Sequence, residues 1–245
     1  MEYFSSNAWI VLSPIEINIK EKINRYGTPL SNWKIEIYRG VLTGYNSAFI
    51  INSDIRNQLI AADSKSAELI RPILRGRDIQ RYEYKFSNLW IINVHNGLKD
   101  RSLPPINIDD YPAIKKYLDN FYPQLAKRTD KGITPYNLRN CAYMKDFSKP
   151  KIIWGEISDK PKFAIDVNGD FIPEATTFMM TGDSLKYLLC FLNSTLSEYF
   201  FAKIGTTTGV GTLRWKKYLI ETLPVPISDS ATIIKLENLV DKIIA

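Results

Sequence analysis

The chain has 245 residues, and its 45% hydrophobic and 24% charged residues are typical of a globular protein and exclude a disordered chain, a collagen or a coiled-coil rod. Its 32 lysines and arginines outnumber its 26 acids, so the net charge is +6 and nucleic acid is the first partner to consider. One histidine, two distant cysteines and no phosphate-loop, zinc-protease or serine-hydrolase motif exclude most familiar catalytic centres. No apolar run approaches the roughly 20 residues that cross a bilayer, and no signal peptide is evident, which predicts a cytoplasmic protein without a membrane partner.

The first half of the chain alternates between helical and strand-like patterns. In chain order we first predict a helix through Ile15, Ile19 and Ile23, a strand over 33–38 and a buried strand over 48–51. A helix capped by Ser53 or Asp54 follows, and then a short helix that passes Ala67 and Ile70 and stops at Pro72. After these we predict a strand over 89–94 and a mainly helical stretch over 109–128 that is broken at Pro123.

The second half begins with strands. We predict strands over 152–154, 163–166 and 176–180, a hairpin turn at Asn168-Gly169, one long apolar helix over 185–201, a glycine- and threonine-rich loop over 205–211, and a last helix with Ile233, Leu236, Val240, Ile243 and Ile244 on one face. The pattern favours an α+β fold, a mixed sheet with flanking helices and a C-terminal amphipathic helix. We divide the chain into an N-terminal helical segment over 1–30, a main domain over 31–226 and a C-terminal helix over 227–245.

Basic residues concentrate in three segments, 71–85, 127–151 and 203–217, that lie in or beside predicted loops. Aromatic residues are interleaved with them: Tyr82, Tyr84, Tyr136, Tyr143 and Trp215. Arginine can bond bidentately to guanine, asparagine to adenine, and lysine to phosphate. A single such cluster is usually a solvated face, but three of them at loops favour a binding cleft for DNA.

Five sequence blocks occur in an order that resembles a known family. They are Arg39 to Ile50 with its Thr43-Gly44-Tyr45-Asn46 turn, Ile70 to Ile79 with Arg75-Gly76-Arg77-Asp78, Lys149 to Trp154, Leu188 to Ser194, and Leu223-Pro224-Val225-Pro226. Together they resemble the TaqI-like C-terminal specificity domain, the target recognition domain of type IIG restriction–modification enzymes and related adenine-specific DNA methyltransferases.

The resemblance implies a function in recognising double-stranded DNA. Such domains close a cleft over the duplex while a methyltransferase domain, and in some enzymes a nuclease domain, acts in cis on a flipped adenine. The Asn-Pro-Pro-Tyr motif of the methyltransferase and a glycine-rich cofactor loop are absent here. We therefore expect this fragment to be non-catalytic and without a cofactor, whereas S-adenosylmethionine and magnesium are expected for the parent methyltransferase and endonuclease.

The candidate DNA-binding residues come from the turn and from the basic segments. They are Thr43, Asn46, Arg75, Arg77, Arg81, Lys127, Arg128, Lys131, Tyr136, Arg139, Thr207, Arg214, Lys216 and Lys217. Within this set, the segment 127–143 is predicted to read bases, with Arg139 on a base and Lys131 on a phosphate. The Thr43 to Asn46 turn is predicted to be structural, since Gly40 and Gly44 supply positive φ and the Asn46 side chain can bond its own backbone, and direct DNA contact is the alternative. Arg77 and Asp78 are predicted to be structural, and Arg75 or Arg81 to face phosphate.

Two other functions remain open at this point. Glu83-Tyr84-Lys85 together with Asp63 or Asp78 has the pattern of a metal-dependent nuclease site, although such triplets are common by chance. The C-terminal amphipathic helix also suits an assembly module, such as a specificity subunit of a multi-subunit restriction system.

Overall fold

The computed structural model describes residues 13–98, 100, 102–204 and 212–245. Its strands are β1 (Gly27–Pro29), β2 (Ile35–Arg39), β3 (Ile50–Asn52), β4 (Ile70–Leu74), β5 (Leu89–Ile92), β6 (Lys151–Gly155), β7 (Ile157–Ser158), β8 (Phe163–Asp166), β9 (Ile172–Pro173), β10 (Thr177–Gly182), β11 (Leu213–Arg214) and β12 (Pro224–Pro226). Its α-helices are α1 (Pro14–Tyr26), α2 (Asn46–Phe49), α3 (Ser53–Ala62), α4 (Pro112–Asp119), α5 (Tyr122–Lys127), α6 (Leu185–Leu192), α7 (Thr195–Ile204), α8 (Lys217–Ile220) and α9 (Ser230–Ile244). Short 3-10 helices occupy Leu30–Asn32, Ser64–Glu68, Gly76–Asp78, Ile108–Asp110 and Met144–Ser148. The predicted α+β class is confirmed.

A four-stranded antiparallel sheet, in the order β2-β10-β6-β8, lies at the centre of the molecule. Side chains alternate between its two faces, and both faces are covered. Ile152 and Trp154 of β6 pack with helix α6 and with Val240 of α9, whereas Ile153 packs with the second sheet. Because both faces are covered, every residue of β6 is buried, which explains its uninterrupted apolar pattern.

The second sheet has the order β3-β5-β4-β9, and its last strand runs parallel to β4. Helices α3, α4 and α5 contribute Leu59, Ile114, Leu118 and Leu125 to its core. The chain passes from β8 in the central sheet to β9 in the second sheet and then back to β10. These crossings tie the two sheets together at one edge.

A buried ion pair holds the first of these crossings. Lys151 and Asp166 are 0% and 1% exposed, and Nζ of Lys151 lies 2.7 Å from Oδ2 of Asp166. Lys151 also donates to the carbonyl of Phe147, while the Asp166 carboxylate accepts the backbone N–H groups of residues 169, 170 and 171. Arg71 of β4 reaches the same turn and donates to the carbonyls of Gly169 and Asp170. Each charge is thus both paired and hydrogen-bonded, the condition under which buried ions persist.

Two predictions for the first half of the chain are wrong in their element type. Residues 46–49 form a helical turn before the buried strand begins at Ile50. Ile70 and Pro72 lie in strand β4 rather than in a helix, and only Ser64–Glu68 is helical. A proline drives the residue before it toward extended conformation, so Arg71-Pro72 suits a strand. Helix α3 is capped by the side chain of Asn52, one residue before the predicted cap.

Two further predictions fail in the second half. The Asn168-Gly169 turn has Gly169 at φ +76°, but it joins strands of different sheets and forms no hairpin. The helix predicted over 185–201 is interrupted between α6 and α7. There Asn193 turns toward the central sheet, accepting from the N–H of Phe163 and donating to its carbonyl. These two hydrogen bonds satisfy the backbone N–H and carbonyl of Phe163 in the edge strand β8, which accounts for the break in an otherwise apolar helix.

The two terminal helices differ in how they pack. No residue of α1 is buried, and Ile15 is 71% exposed. Helix α9 packs on α6 with Val240 fully buried, whereas Ile243, predicted on the same face, is exposed. The division into 1–30, 31–226 and 227–245 stays a prediction. Within the described ranges, no helix has the length and apolarity to cross a membrane.

Replacing Lys151 with methionine should lower the free energy of unfolding by about 3–5 kcal/mol, because the buried Asp166 charge loses its partner. Lys149→Met is the matched control, since the Lys149 side chain is 58% exposed in its pair with Asp146 and exposed pairs contribute little. Urea unfolding of both variants measures the difference. Equal midpoints would show that the buried pair is not needed for the crossing.

Candidate nucleic-acid interface

The turn that follows β2 is held by side chains of its own and by strand β9. A Cβ atom on Gly40 would lie 2.2 Å from the carbonyl oxygen of Glu174, and Gly44 has φ +69°. Gly40 is thus required by a close backbone approach and not, as predicted, by a positive φ. The Thr43 hydroxyl donates to Asn46, whose amide donates to Glu174. The turn is a structural element, and Thr43 is buried within it.

Arg128 is the main correction to the predicted DNA-binding set. Its side chain is 7% exposed and lies over the ring of Phe49. Its terminal nitrogens donate to the carbonyls of Thr43, Pro135 and Asn137. One buried guanidinium therefore joins the turn after β2 to the loop 128–138, and almost none of it is exposed for contact with DNA. Burial lowers the pKa of this guanidinium from its ordinary value.

In the Arg75-Gly76-Arg77-Asp78 block, Arg75 makes the structural contacts that were predicted for Arg77. Nε and Nη2 of Arg75 bind both oxygens of Asp78, each at 3.1 Å. Asp78 is 4% exposed and also accepts from Ser87 at 2.6 Å. These hydrogen bonds lower the pKa of Asp78 although burial acts in the opposite direction. Arg77 is exposed and makes no hydrogen bond or ion pair with the residues that the structure describes.

Two adjoining cavities lie where the central sheet meets the second sheet. The larger, of about 760 Å³, is lined by Arg39, Gly76, Arg77, Ile79, Gln80, Gly155, Glu156, Ile157, Ser158, Asp159, Lys162, Thr176, Thr212 and Arg214. The smaller, of about 570 Å³, is lined by Arg39, Gly40, Val41, Leu42, Arg139, Asn140, Cys141, Ala142 and Tyr143. Arg39 lines both, so we call them together the arginine groove. The groove brings three predicted arginines, 77, 139 and 214, around Arg39.

Two backbone segments approach each other closely where they line the arginine groove. A Cβ atom on Gly155 would lie 3.1 Å from the Cα of Gly76, so strand β6 touches the 3-10 turn after β4 at this point. Two basic side chains that line the groove also form ion pairs. Arg139 lies 3.1 Å from Asp130, and Lys162 lies 2.8 Å from Asp159. These pairs are exposed, so a competing anion can exchange with the carboxylate at little cost.

Glu156 lies between two arginines of the groove. Its Oε2 is 3.1 Å from Nη2 of Arg39 and its Oε1 is 3.2 Å from Nη1 of Arg214. The Glu156 side chain is 16% exposed, whereas Arg39 and Arg214 are 56% and 40% exposed. Arg39 additionally donates Nε to the carbonyl of Ala175 at 2.7 Å. The two guanidinium groups are therefore held apart at fixed positions while their outer edges face solvent.

The other predicted site residues lie elsewhere or are engaged. Arg81 donates to the carbonyl of Asn193, and Lys131 donates to the carbonyl of Ala126. The Tyr136 hydroxyl donates to Asp119, and burial together with this bond raises the pKa of Tyr136 to about 12. Lys217 binds the carbonyl of Ile37 at 3.1 Å.

Lys127 is exposed, and Lys216 is half-buried. Thr207 lies outside the described residues. Trp215 and Lys151, counted with the basic and aromatic surface, are buried in the core.

Both acids that could complete the predicted nuclease pattern, Asp63 and Asp78, have structural roles. Asp78 is enclosed by Arg75 and Ser87, and Asp63 caps the 3-10 helix Ser64–Glu68 by accepting from Lys65. In the described ranges, His, Cys, Asp and Glu side chains form no cluster of three or more that could hold a metal ion.

Sequence reasoning missed Arg39, Glu156 and Lys162. Arg39 ends strand β2 directly before Gly40, and Glu156 follows the buried strand β6 directly after Gly155. A charged residue beside a glycine at the end of a strand is the signal that was available. Their meeting, over a sequence distance of more than a hundred residues, depends on the pairing of β2 and β6 with β10.

Comparison with known proteins assigns this fold to a class, the specificity domains of restriction–modification enzymes. A model of the TaqI-like C-terminal specificity domain matches residues 71–225, more than half of the chain. The chain belongs to this TaqI-like family, as its sequence blocks indicated.

Two solved structures share the fold. The type IIL restriction–modification enzyme MmeI, solved in complex with DNA, is similar with a TM-score of 0.65 at 13% identity over 87% of this chain and 28% of that chain. The type IIG restriction endonuclease BpuSI is similar with a TM-score of 0.58 at 14% identity over 92% of this chain and 28% of that chain. The chain thus spans about a quarter of the length of each enzyme, and the predicted target-recognition fold is confirmed.

Replacing Arg128 with methionine should destabilise the protein by at least about 2 kcal/mol, because buried carbonyl groups lose their donor at roughly 1–3 kcal/mol each. Arg139→Met, which breaks only the exposed pair with Asp130, is the control and should unfold near the wild-type midpoint. Chemical denaturation followed by tryptophan fluorescence tests both. A wild-type midpoint for Arg128→Met would contradict its structural role.

Proposed function

We propose that this chain recognises the DNA target of a larger restriction–modification enzyme and that the arginine groove is its DNA-binding surface. The observation that carries the proposal is the meeting of Arg39, Arg77, Arg139 and Arg214 around two adjoining cavities. Guanidinium groups on a fixed scaffold suit both phosphate oxygens and the O6 and N7 acceptors of guanine. Membership of a specificity-domain family supports the same function.

The two kinds of contact fall to different arginines in this proposal. Arg77 is exposed and without an ion-pair partner among the described residues, so it is free to neutralise a phosphate. Arg139 lies at the other end of the groove beside Asn140 and Tyr143, and its only carboxylate partner is the exposed Asp130 within the described part of the chain. We assign Arg139 to a base edge, as the sequence favoured. Lys131 is exposed on the same loop, and we assign it to a contact with a DNA phosphate.

The parent enzyme supplies the chemistry in this proposal. The full-length enzyme would be an N6-adenine methyltransferase that uses S-adenosylmethionine, with a magnesium-dependent nuclease in cis. This chain would then act without a cofactor of its own. The likeness to MmeI and BpuSI, in each of which the matched region covers 28% of the chain, supports an origin in such a multidomain protein.

Arg77→Ala should weaken binding of the chain to duplex DNA and reduce the slope of log K against log salt concentration by about 0.9, the value for one phosphate contact. Lys235→Ala is the matched control, because it removes one exposed positive charge from α9, outside the arginine groove. Fluorescence anisotropy titrations between low and moderate salt give both slopes. Equal slopes for the two variants would exclude Arg77 from the footprint.

In the intact enzyme, Arg139→Ala should relax the preference at one base pair, at a cost of roughly 1–3 kcal/mol. Lys131→Ala should weaken all sequences about equally, since a phosphate contact carries no base information. Methylation of a library with a randomised target site measures both effects. An unchanged site preference for a folded Arg139→Ala variant would move base reading elsewhere in the groove.

A further inference from the structure

Glu156 is a carboxylate at the centre of a basic groove, and its position is fixed by the backbone. Its N–H donates to the carbonyl of Thr176 at 2.9 Å, and its carbonyl accepts from the N–H of Trp215 at 2.7 Å. Trp215 is 2% exposed and anchored in the core. The side chain of Glu156 therefore leaves a rigid point between β6 and β7 and cannot withdraw from the groove by a movement of its loop.

The two arginines that Glu156 binds are held independently of it. Arg39 belongs to β2, pairs with Phe178 of β10 and donates Nε to the carbonyl of Ala175. Arg214 belongs to β11 and pairs with Ile157 of β7. Glu156 thus does not create the positions of these arginines but adjusts the direction of each guanidinium, taking one N–H from each.

Both arginines keep donors for a ligand. Nη1 of Arg39 has no hydrogen-bond partner among the described residues, and neither do Nε and Nη2 of Arg214. With more than a third of each side chain exposed, these groups face the cavity that the arginines line. A ligand that binds here meets two donor edges with a negative charge between them.

That negative charge distinguishes between the two acceptors that DNA offers. A phosphate oxygen carries a formal charge and is strongly repelled by the neighbouring carboxylate, whereas the O6 and N7 atoms of guanine carry only partial charges and are repelled much less. Each arginine is also partly neutralised by sharing Glu156, which lowers its attraction for a phosphate more than for a base edge.

We propose that Glu156 is a positioning residue for specificity, which directs Arg39 and Arg214 to base edges in the major groove and keeps them off the phosphates. The inference rests on the proposed function and adds to it separate roles for the arginines. The Glu156-bound arginines discriminate between bases, and the unpaired Arg77 binds the phosphate backbone of the DNA. Specificity arises here as much from weakening a wrong contact as from making the right one.

Glu156→Gln tests the proposal on the 245-residue chain, since the amide keeps the shape and one acceptor oxygen but removes the charge. Binding to unrelated duplex DNA should tighten, and the slope of log K against log salt concentration should steepen by about 0.9 for each arginine that reaches a phosphate. The control is Asp109→Asn, which removes the same charge from the exposed pair with Lys115, neither of which lines the arginine groove.

Selection of bound sequences from a randomised duplex library provides the second measurement. Glu156→Gln should reduce the enrichment on the order of tenfold at the base pairs that Arg39→Gln or Arg214→Gln also relaxes, and Glu156→Asp should retain most of it. In the Arg39→Gln/Arg214→Gln background, Glu156→Gln should change neither the salt slope nor the enriched sequence, since a residue that acts through others has no effect without them.

The outcomes separate this inference from the proposed function. If the wild-type chain enriches a sequence but Glu156→Gln behaves like Asp109→Asn, the role of Glu156 is overturned and DNA recognition stands. The same holds if Glu156→Gln relaxes base pairs that neither arginine variant relaxes. If the wild-type chain enriches no sequence and binds DNA without dependence on Arg77, both proposals fail. A Glu156→Gln variant that does not fold leaves Glu156→Asp and the arginine variants to decide, since full relaxation by Glu156→Asp would contradict a role that depends on charge.

Discussion

The buried pair of Lys151 and Asp166 is the constraint on which the arrangement of the two sheets depends. It lies where the chain leaves the central sheet for the second. Lys151 donates to the carbonyl of Phe147, and Asp166 accepts from the backbone N–H groups of the turn at 169–171. A hydrophobic pair could fill the same volume, but it could not bind three consecutive N–H groups of the turn at 169–171. The pair therefore specifies a backbone path. The arginine groove lies at the other end of β6, where Gly155 and Thr176 of the return crossing line it.

The basic residues of the chain belong to two physically different groups. Arg128, Arg75 and Arg71 bind carbonyls or a buried carboxylate and join loops to the scaffold. Arg39, Arg77, Arg139 and Arg214 line the groove with exposed guanidinium edges. An arginine is suited to either role because its planar fork matches both a set of carbonyls and an external ligand. Net charge alone therefore overstates the positive surface of this protein.

The sequence predicted the class of the fold and five of the twelve strands that the structure describes, and three of the four arginines that line the groove were among its candidate residues. Strands β2, β5, β6, β8 and β10 were found because buried sheets leave period-two or continuous apolar runs. The sequence could not separate Arg75 from Arg77, since their roles depend on which one meets the buried Asp78. It also could not find Glu156, whose partners come from β2 and β11, far away along the chain. The helix break at Asn193 was hidden for the same reason, because its cause is a strand edge and not a local breaker.

The close contact of Gly76 and Gly155 has a consequence for the shape of any complex. Two backbones that touch at the floor, with wall arginines on paired strands, leave the groove little freedom to open or close around a ligand. We expect the adaptation on binding to fall on the duplex, whose bending and groove width vary with base sequence. Base steps that no side chain touches would then influence affinity through their stiffness. In the proposed complex, a rigid receptor of this kind would read the mechanical properties of DNA together with its chemical ones.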